Sequence, residues 1–123
     1  MKTAIIVFAH GSSVESANDA VRAVTRQIAQ TGGFALTETA FLELAQPDLP
    51  SAVERVRSAG AGRIIVVPYF LTLGIHLRRD LPRIVEELSR QHEGVNIEVT
   101  DPLDGHPALV RIVLERAQKA IEC

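Results

Sequence analysis

Three side chains able to bind a metal ion or accept a proton follow the predicted strands of this chain. His10 comes directly after an apolar run at residues 4–9, Glu43 follows the next strand, and His76 lies in the loop after the third. Two imidazoles and a carboxylate suit a divalent transition metal. They also suit proton removal near neutral pH, where histidine titrates. Taken singly, each of these residues has another explanation. His10 is explained equally well as a strand-end residue that is hydrogen-bonded to the backbone. His76 and Glu43 are then solvated surface groups.

The turn that contains His10 is also a candidate anion site. Gly11, Ser12 and Ser13 precede a predicted helix, and free backbone N–H groups at a helix start attract negative charge. The turn matches neither glycine-rich nucleotide fingerprint, and it lacks the Gly-x-Ser-x-Gly pattern of a serine nucleophile. We therefore expect Ser12 and Ser13 to hold a carboxylate of the substrate.

Two arginines beside His76 indicate the same kind of substrate. Arg78 and Arg79 follow it closely, and arginine binds carboxylates through two parallel hydrogen bonds. A solvated helix face is the alternative explanation for both. His92 is expected at a solvated helix end, and His106 at most on the rim of the site.

Apolar runs alternate with helical patterns along the chain. The predicted strands cover residues 4–9, 34–42, 64–67 and 95–99. Strands that alternate with helices indicate an α/β fold, here a single doubly wound domain with a four-stranded parallel sheet and helices on both faces. The expected strand order is 2-1-3-4. Ligands bind beyond the carboxyl ends of such strands where the order reverses, and this is where His10, Glu43 and His76 should meet.

Capping residues and apolar spacing predict where each helix lies. The first has Ser13 or Ser16 as its cap, and the second has Asp48. The third is expected to begin at residues 80–82, after a long loop at 68–79. The first helix carries an apolar stripe of Ala17, Val21, Val24 and Ile28. The stripe of the last helix consists of Leu109, Val110, Val113, Leu114, Ala117 and Ile121.

Composition excludes several classes of function. The chain has 123 residues, which predicts one domain over 1–123, and its net charge of −2 gives no field to attract nucleic acid. No apolar run approaches the roughly 20 residues that a membrane span needs. Cys123 is the one cysteine, so we expect a reducing compartment, the cytoplasm, and a metal site built from nitrogen and oxygen ligands.

The ordered motifs resemble the CbiX/SirB class of sirohydrochlorin chelatases. The resemblance rests on a strand that ends in His10-Gly11-Ser12, on Phe41-Leu42-Glu43, and above all on residues 68–82. That last segment contains the pattern Pro-x-Phe-Leu-x-x-Gly-x-His-x-x-x-Asp-x-Pro intact. Pro102-Leu103 with His106-Pro107 resembles a later loop of the family, so the likeness covers nearly the whole chain.

The resemblance implies an enzyme that inserts Co²⁺ or Fe²⁺ into sirohydrochlorin on the routes to cobalamin or siroheme, with Ni²⁺ used by archaeal relatives. It implies no nucleotide and no cofactor beyond the metal substrate. It assigns metal binding to His10 and His76 and an active-site role to Glu43. Short members resemble one half of the long ones and form homodimers. Phe70 and Leu73 would line the face of the macrocycle, although membership of the core explains them equally well.

Departures from the family pattern leave alternatives open. Ser13-Val14-Glu15 stand where the family often has arginine and proline, which puts substrate contacts from this turn in doubt. A non-catalytic tetrapyrrole- or metal-binding module with the same cleft is the main rival. An enzyme that binds phosphate at the turn, and a half-domain paired with another chain, are two others. These residue types do not identify the metal, because cobalt, iron and nickel all bind imidazole and carboxylate ligands.

Overall fold

A parallel four-stranded sheet organises the chain in the computed structural model, which describes residues 2–122. The strands run β1 (Lys2–Ala9), β2 (Leu36–Phe41), β3 (Ala61–Pro68) and β4 (Asn96–Val99). The helices run α1 (Glu15–Gly32), α2 (Leu49–Ser58), α3 (Ile75–Gln91) and α4 (Pro107–Glu122). The spatial order β2-β1-β3-β4 confirms the predicted topology. Cys123 lies outside the described residues, and no helix within them is long and apolar enough to cross a membrane.

The central strand β1 explains the continuous apolar run near the start of the chain. Residues 4–9 are all buried, because β1 pairs with β2 on one side and with β3 on the other and is covered on both faces. Its register aligns Val7 with Thr39 of β2 and with Val67 of β3, so these three side chains share one face of the sheet.

The two faces of the sheet are covered by different helices. Ile6 and Phe8 belong to a core cluster with residues of α2 and α3. On the opposite face α1 packs against β1 and β2, where the Thr39 hydroxyl donates to the Thr25 hydroxyl at 2.8 Å. The buried positions of α1 are Asn18 and Thr25, two turns apart, whereas Val21, Val24 and Ile28 of the predicted stripe are half-buried and Ala17 is exposed, so the stripe is wrong at Ala17.

The third helix begins five residues earlier than expected, which corrects the predicted loop at 68–79. Its first residue is Ile75, and Pro82 lies inside it rather than at its start. Proline removes one helical hydrogen bond, yet Leu77 and Leu81 pack on the core from the turns before it. The burial of these side chains thus outweighs the local preference of Pro82 for the start of a helix. As a result His76, Arg78 and Arg79 lie in the first turns of a helix, not in a loop.

Two predicted helix caps have different outcomes. The Asp48 carboxylate accepts from the Ser51 backbone N–H at 2.9 Å, which confirms it as the cap of α2. The cap position of α1 is Val14, so neither Ser13 nor Ser16 caps that helix.

Candidate active site

His10 and Glu43 lie together at the carboxyl edge of the sheet. The His10 Nε2 atom is 3.4 Å from a carboxylate oxygen of Glu43, and both side chains are more than half exposed. Nδ1 of His10 lies 3.0 Å from the Gly11 carbonyl and donates to it in the tautomer that carries the proton on Nδ1. Nε2 is then left with a free lone pair beside a carboxylate. This arrangement suits metal binding through Nε2 and proton acceptance by Glu43.

Backbone hydrogen bonds hold these two side chains at a fixed separation. The Leu42 N–H donates to the Ala9 carbonyl at 2.9 Å, and the Glu43 N–H donates to the His10 carbonyl at 3.0 Å. The ladder between β1 and β2 therefore continues past both strands. Two side chains on aligned neighbouring strands become neighbours, as the parallel topology requires.

Gly11 lets the two loops approach this closely. Its φ is +93°, and a Cβ added there would lie 1.8 Å from the Glu43 carbonyl oxygen. A residue with a side chain at this position would have to push the His10 and Glu43 loops apart.

We expect Gly11→Ala to destabilise the protein by about 1–3 kcal/mol, because the new methyl overlaps backbone that must shift. Thermal unfolding followed by circular dichroism measures this effect. Gly33→Ala is the matched control, since Gly33 also has a positive φ, of +69°, but its added Cβ would meet nothing within 4 Å. Equal unfolding temperatures for the two variants would show that the close approach to Glu43 carries no cost.

Asn18 anchors the turn that follows His10. Its side-chain oxygen accepts from the Ser12 N–H at 2.9 Å, and its amide donates to the Ser12 carbonyl at 2.8 Å and to Glu15 at 3.2 Å. Only 1% of Asn18 is exposed. Sequence reasoning missed this residue, although a polar side chain on the buried side of a helix needs partners and is the signal that identifies it.

The charges around Asn18 reinforce this anchor. Hydrogen bonding from Arg22, followed by that from Asn18, lowers the pKa of Glu15 below its ordinary value. A lowered pKa keeps Glu15 ionised at neutral pH. The hydrogen bond that its carboxylate accepts from Asn18 is therefore charge-assisted at neutral pH, and this contribution is lost as the pH falls through that pKa. Arg22 also lies over the Phe41 ring, 5.1 Å from its centroid, and so connects α1 to the strand that leads to Glu43.

Replacing Asn18 with alanine should slow any metal-dependent reaction at this site by about 10- to 100-fold, the range seen when residues that orient metal ligands are lost. The variant leaves the Ser12 N–H and carbonyl without their partners, so the turn is free to move His10. The metal concentration at half-maximal rate should rise as well. A rate and metal dependence equal to those of the original chain, with a lowered unfolding temperature alone, would limit Asn18 to a structural role.

The serines of the turn differ in what they offer a ligand. The Ser12 N–H is occupied by Asn18, and the Ser12 hydroxyl accepts from the Val14 N–H at 3.0 Å. Ser13 is exposed. At the anion site expected in this turn, Ser13 is therefore the serine that is exposed to a ligand.

His76 stands on a different element from the other two candidate side chains. It lies in the first turn of α3, exposed, and its Nδ1 is 3.4 Å from a guanidinium nitrogen of Arg79. Arg79 also reaches Asp80 at 3.3 Å. Within residues 2–122, no three histidine, cysteine or acidic side chains are grouped closely enough to hold a metal ion. The structure thus brings together His10 and Glu43 but does not add His76 to them.

Phe70 and Leu73 connect the site to the core. The Phe70 ring lies edge-on to His10 with centroids 6.4 Å apart, and 5.9 Å from the Phe8 ring. Leu73 and Arg78 line one groove of about 410 Å³ between α3 and β4. Both Phe70 and Leu73 are partly buried against the core, so each retains surface to offer a ligand.

Comparison with known proteins assigns the chain to a family. Residues 4–120 match the sequence model of the CbiX family. The chain belongs to the CbiX family. A relative named sirohydrochlorin cobaltochelatase, from Priestia megaterium, is 32% identical over 120 residues, which make up 98% of this chain and 39% of that protein. Another relative of that name, from Methanopyrus kandleri, is 27% identical, and the match covers 96% of both proteins.

Solved structures agree with this assignment. A CbiX protein from Marinobacter aquaeolei VT8 has a TM-score of 0.83 at 31% identity, with 98% of each chain covered. The sirohydrochlorin chelatase SirB from Bacillus subtilis subspecies spizizenii, solved in complex with cobalt, has a TM-score of 0.89 at 27% identity. The match to SirB covers 97% of this CbiX-family chain but 51% of the SirB chain. Members of the family therefore exist both at this length and at about twice this length.

Proposed function

We propose that this CbiX-family chain, as one domain over 1–123, inserts Co²⁺ or Fe²⁺ into sirohydrochlorin for cobalamin or siroheme synthesis. The observation that carries the proposal is the contact between His10 and Glu43 at 3.4 Å, at the edge of the sheet where α/β folds bind ligands. Relatives that match nearly all of this chain are named cobaltochelatases. A relative from Arabidopsis thaliana is named sirohydrochlorin ferrochelatase.

Metal insertion requires a ligand for the ion and an acceptor for protons. Two pyrrole N–H groups each lose a proton as the divalent ion binds the ring nitrogens, so charge is conserved. In the proposed mechanism His10 binds the incoming ion through Nε2, and His76 is the second metal ligand, from α3. Glu43 accepts the released protons or orients His10. The metal is a substrate here, and the proposal includes no other cofactor.

The acidic macrocycle needs cations and an apolar surface. We assign its carboxylates to Arg78 and Arg79, because a guanidinium group binds a carboxylate through two parallel hydrogen bonds. Ser13 and the Ser12 hydroxyl, which accepts from the Val14 N–H and still has a proton to donate, complete the proposed carboxylate contacts. Phe70 and Leu73 would face the ring. Phe70 is suited to this role because it already contacts His10, so a ring against Phe70 lies beside the metal ligand.

Two further features belong to the proposal. The chain acts as a homodimer, since one copy offers a single edge of a sheet to a large macrocycle and a second copy supplies the other wall. The compartment is the cytoplasm, as expected for a biosynthetic enzyme with one cysteine. Nucleic acid and membranes are not among the proposed partners.

An insertion assay tests the function directly. Purified protein is mixed with excess sirohydrochlorin and, in parallel, with Co²⁺, Fe²⁺ or Ni²⁺, and the absorption spectrum is followed against protein-free controls. We expect many equivalents of metallated product per chain with at least one of these ions. Binding of one equivalent without turnover would instead identify a tetrapyrrole- or metal-binding module.

A further inference from the structure

Arg22 of α1 is the centre of a charged cluster beside the candidate active site. Its guanidinium pairs with Glu15 at 2.6 Å and with Asp19 at 2.9 Å, both on the same helix. Hydrogen bonding to Glu15 raises the pKa of Arg22, so the guanidinium stays charged. The side chain of Arg22 is 29% exposed, so its neighbours enclose most of it. The two carboxylates therefore fix the position of the guanidinium on α1.

The same guanidinium contacts the segment that carries Glu43. Arg22 lies over the ring of Phe41, the last residue of β2, with 5.1 Å between the guanidinium carbon and the ring centroid. The Phe41 side chain is fully buried, which gives Arg22 a rigid surface to pack on. The other terminal nitrogen of Arg22 donates to the Gln46 carbonyl at 3.4 Å. Arg22 thus contacts both ends of residues 42–47, which we call the Glu43 loop.

The Glu43 loop has an unusual backbone conformation at its tip. The Phe41 N–H donates to the Pro47 carbonyl at 2.8 Å, which closes the base of the loop. Leu44, next to Glu43, has a φ of +65° and is 64% exposed. A residue with a side chain rarely adopts a positive φ, and it keeps one only where the surrounding contacts enforce it. Contacts from outside the loop are therefore needed to hold this shape.

Arginine is the residue type that these contacts require. A guanidinium group is planar, so its face can stack on an aromatic ring while its edge donates hydrogen bonds. A lysine ammonium is a compact charge and cannot do both at once. Arg22 covers Phe41 with its face and donates from its edge to the two carboxylates of α1 and to the Gln46 carbonyl.

We propose that Arg22 is a positioning residue for Glu43, because it holds the Glu43 loop against α1 and so fixes the distance between Glu43 and His10. The same helix carries Asn18, which anchors the turn after His10. Both sides of the site are thus attached to one helix, by Asn18 on one side and by Arg22 on the other. This inference rests on the proposed function, in which Glu43 accepts protons or orients His10.

A double-mutant cycle tests whether Arg22 acts through Glu43. Arg22→Met should lower the kcat of metal insertion about 10-fold, within the range for residues that orient groups at a metal site. The KM for sirohydrochlorin should stay unchanged, because Arg22 is not among the proposed substrate contacts. In the background of Glu43→Gln, the same replacement should cause no further loss. An equal loss in both backgrounds, or a loss confined to KM, would overturn the positioning role.

Amide hydrogen exchange, followed by NMR, tests the positioning role without any reaction. Arg22→Met should speed the exchange of the Glu43 N–H about 10-fold, the weakening expected when one cation–π contact and one hydrogen bond are lost from the loop. The Ile6 N–H, in the middle of β1, should exchange as in the original chain. Equal acceleration at Glu43 and Ile6 would show a general loss of stability and overturn the positioning role, as would an unchanged Glu43 N–H.

Two further variants serve as controls. Arg26→Met removes an exposed arginine one turn further along α1 and should leave both the kcat and the exchange of the Glu43 N–H unchanged. Arg22→Lys keeps a positive charge beside the two carboxylates but lacks the planar group that covers Phe41, so it gives a result even if Arg22→Met does not fold. The Glu43 N–H should exchange faster in Arg22→Lys as well. A lysine variant identical to the original chain would show that charge alone is enough and would overturn the positioning role.

The positioning role and the proposed function fail separately. An original chain that inserts no metal would refute the proposed function, whereas the exchange of the Glu43 N–H still decides whether Arg22 holds the Glu43 loop. An original chain that inserts metal, with the Glu43 N–H unaffected by Arg22→Met and Arg22→Lys, would refute the positioning role alone.

Discussion

His10→Ala should abolish the metal-dependent change in the sirohydrochlorin spectrum, a loss of about 100- to 10,000-fold in rate, while the fold remains intact. Nε2 of the imidazole faces the Glu43 carboxylate at 3.4 Å, and it is the atom that binds the ion in the proposed mechanism. Its side chain is 58% exposed, so its removal leaves no buried cavity. Stopped-flow absorbance measures the rate, and circular dichroism verifies the fold.

His106→Ala provides the comparison for His10→Ala. His106 is also exposed and also lies beyond a strand at the carboxyl edge, but its ring is used to accept from the Ala108 N–H. This variant should keep most of the insertion rate. If His10→Ala inserts metal as fast as His106→Ala, then the metal is not delivered through His10, and the mechanism proposed above is wrong.

His76→Ala should also reduce insertion about 100-fold or more, for a different reason. His76 does not contact His10 or Glu43, so its removal leaves that contact in place. Its contribution lies in supplying a second nitrogen ligand from α3 when the ion and macrocycle are both present. The insertion rate should therefore fall while the unfolding temperature stays unchanged, since the ring is exposed and its contact with Arg79, at 3.4 Å, is to another exposed side chain.

The comparison for His76 lies at the other end of the same helix. His92 occupies the C-terminal cap of α3 and approaches Glu54 at 3.7 Å, far along the chain from the site residues. His92→Ala should leave insertion intact. Equal rates for His76→Ala and His92→Ala would remove His76 from the proposed ligand set and leave His10 and Glu43 as the metal-binding pair.

Local patterns were enough to predict most of the architecture. The apolar run at residues 4–9 indicates a strand covered on both faces, and β1 is such a strand. The Asp48 cap with Pro50 after it predicts the start of α2, because a cap is decided by neighbouring residues. The order β2-β1-β3-β4 follows from short right-handed connections between alternating strands and helices.

Packing between distant segments decided where prediction failed. The local pattern Asp80-Leu81-Pro82 predicts the start of a helix. However, α3 begins at Ile75, because Leu77 and Leu81 pack on the core. Spacing predicts an apolar stripe on α1, and Val21, Val24 and Ile28 are half-buried, but the residues that the sheet buries most are the polar Asn18 and Thr25, whose hydrogen bonds reach Ser12 and Thr39. Such contacts span many residues of sequence, and no local spacing specifies them.

The sequence by itself determined the fold class, the strand order, the glycine in the His10 turn and the edge where the candidate side chains gather. These depend on periodicity, turn chemistry and the fixed handedness of crossovers, which act over short distances. Only the tertiary structure decided that His10 and Glu43 meet without His76, that Asn18 anchors the turn after His10, and that α4 has no buried residue in the described chain. These three facts depend on which surfaces meet once the sheet has formed, and that depends on the whole set of long-range contacts.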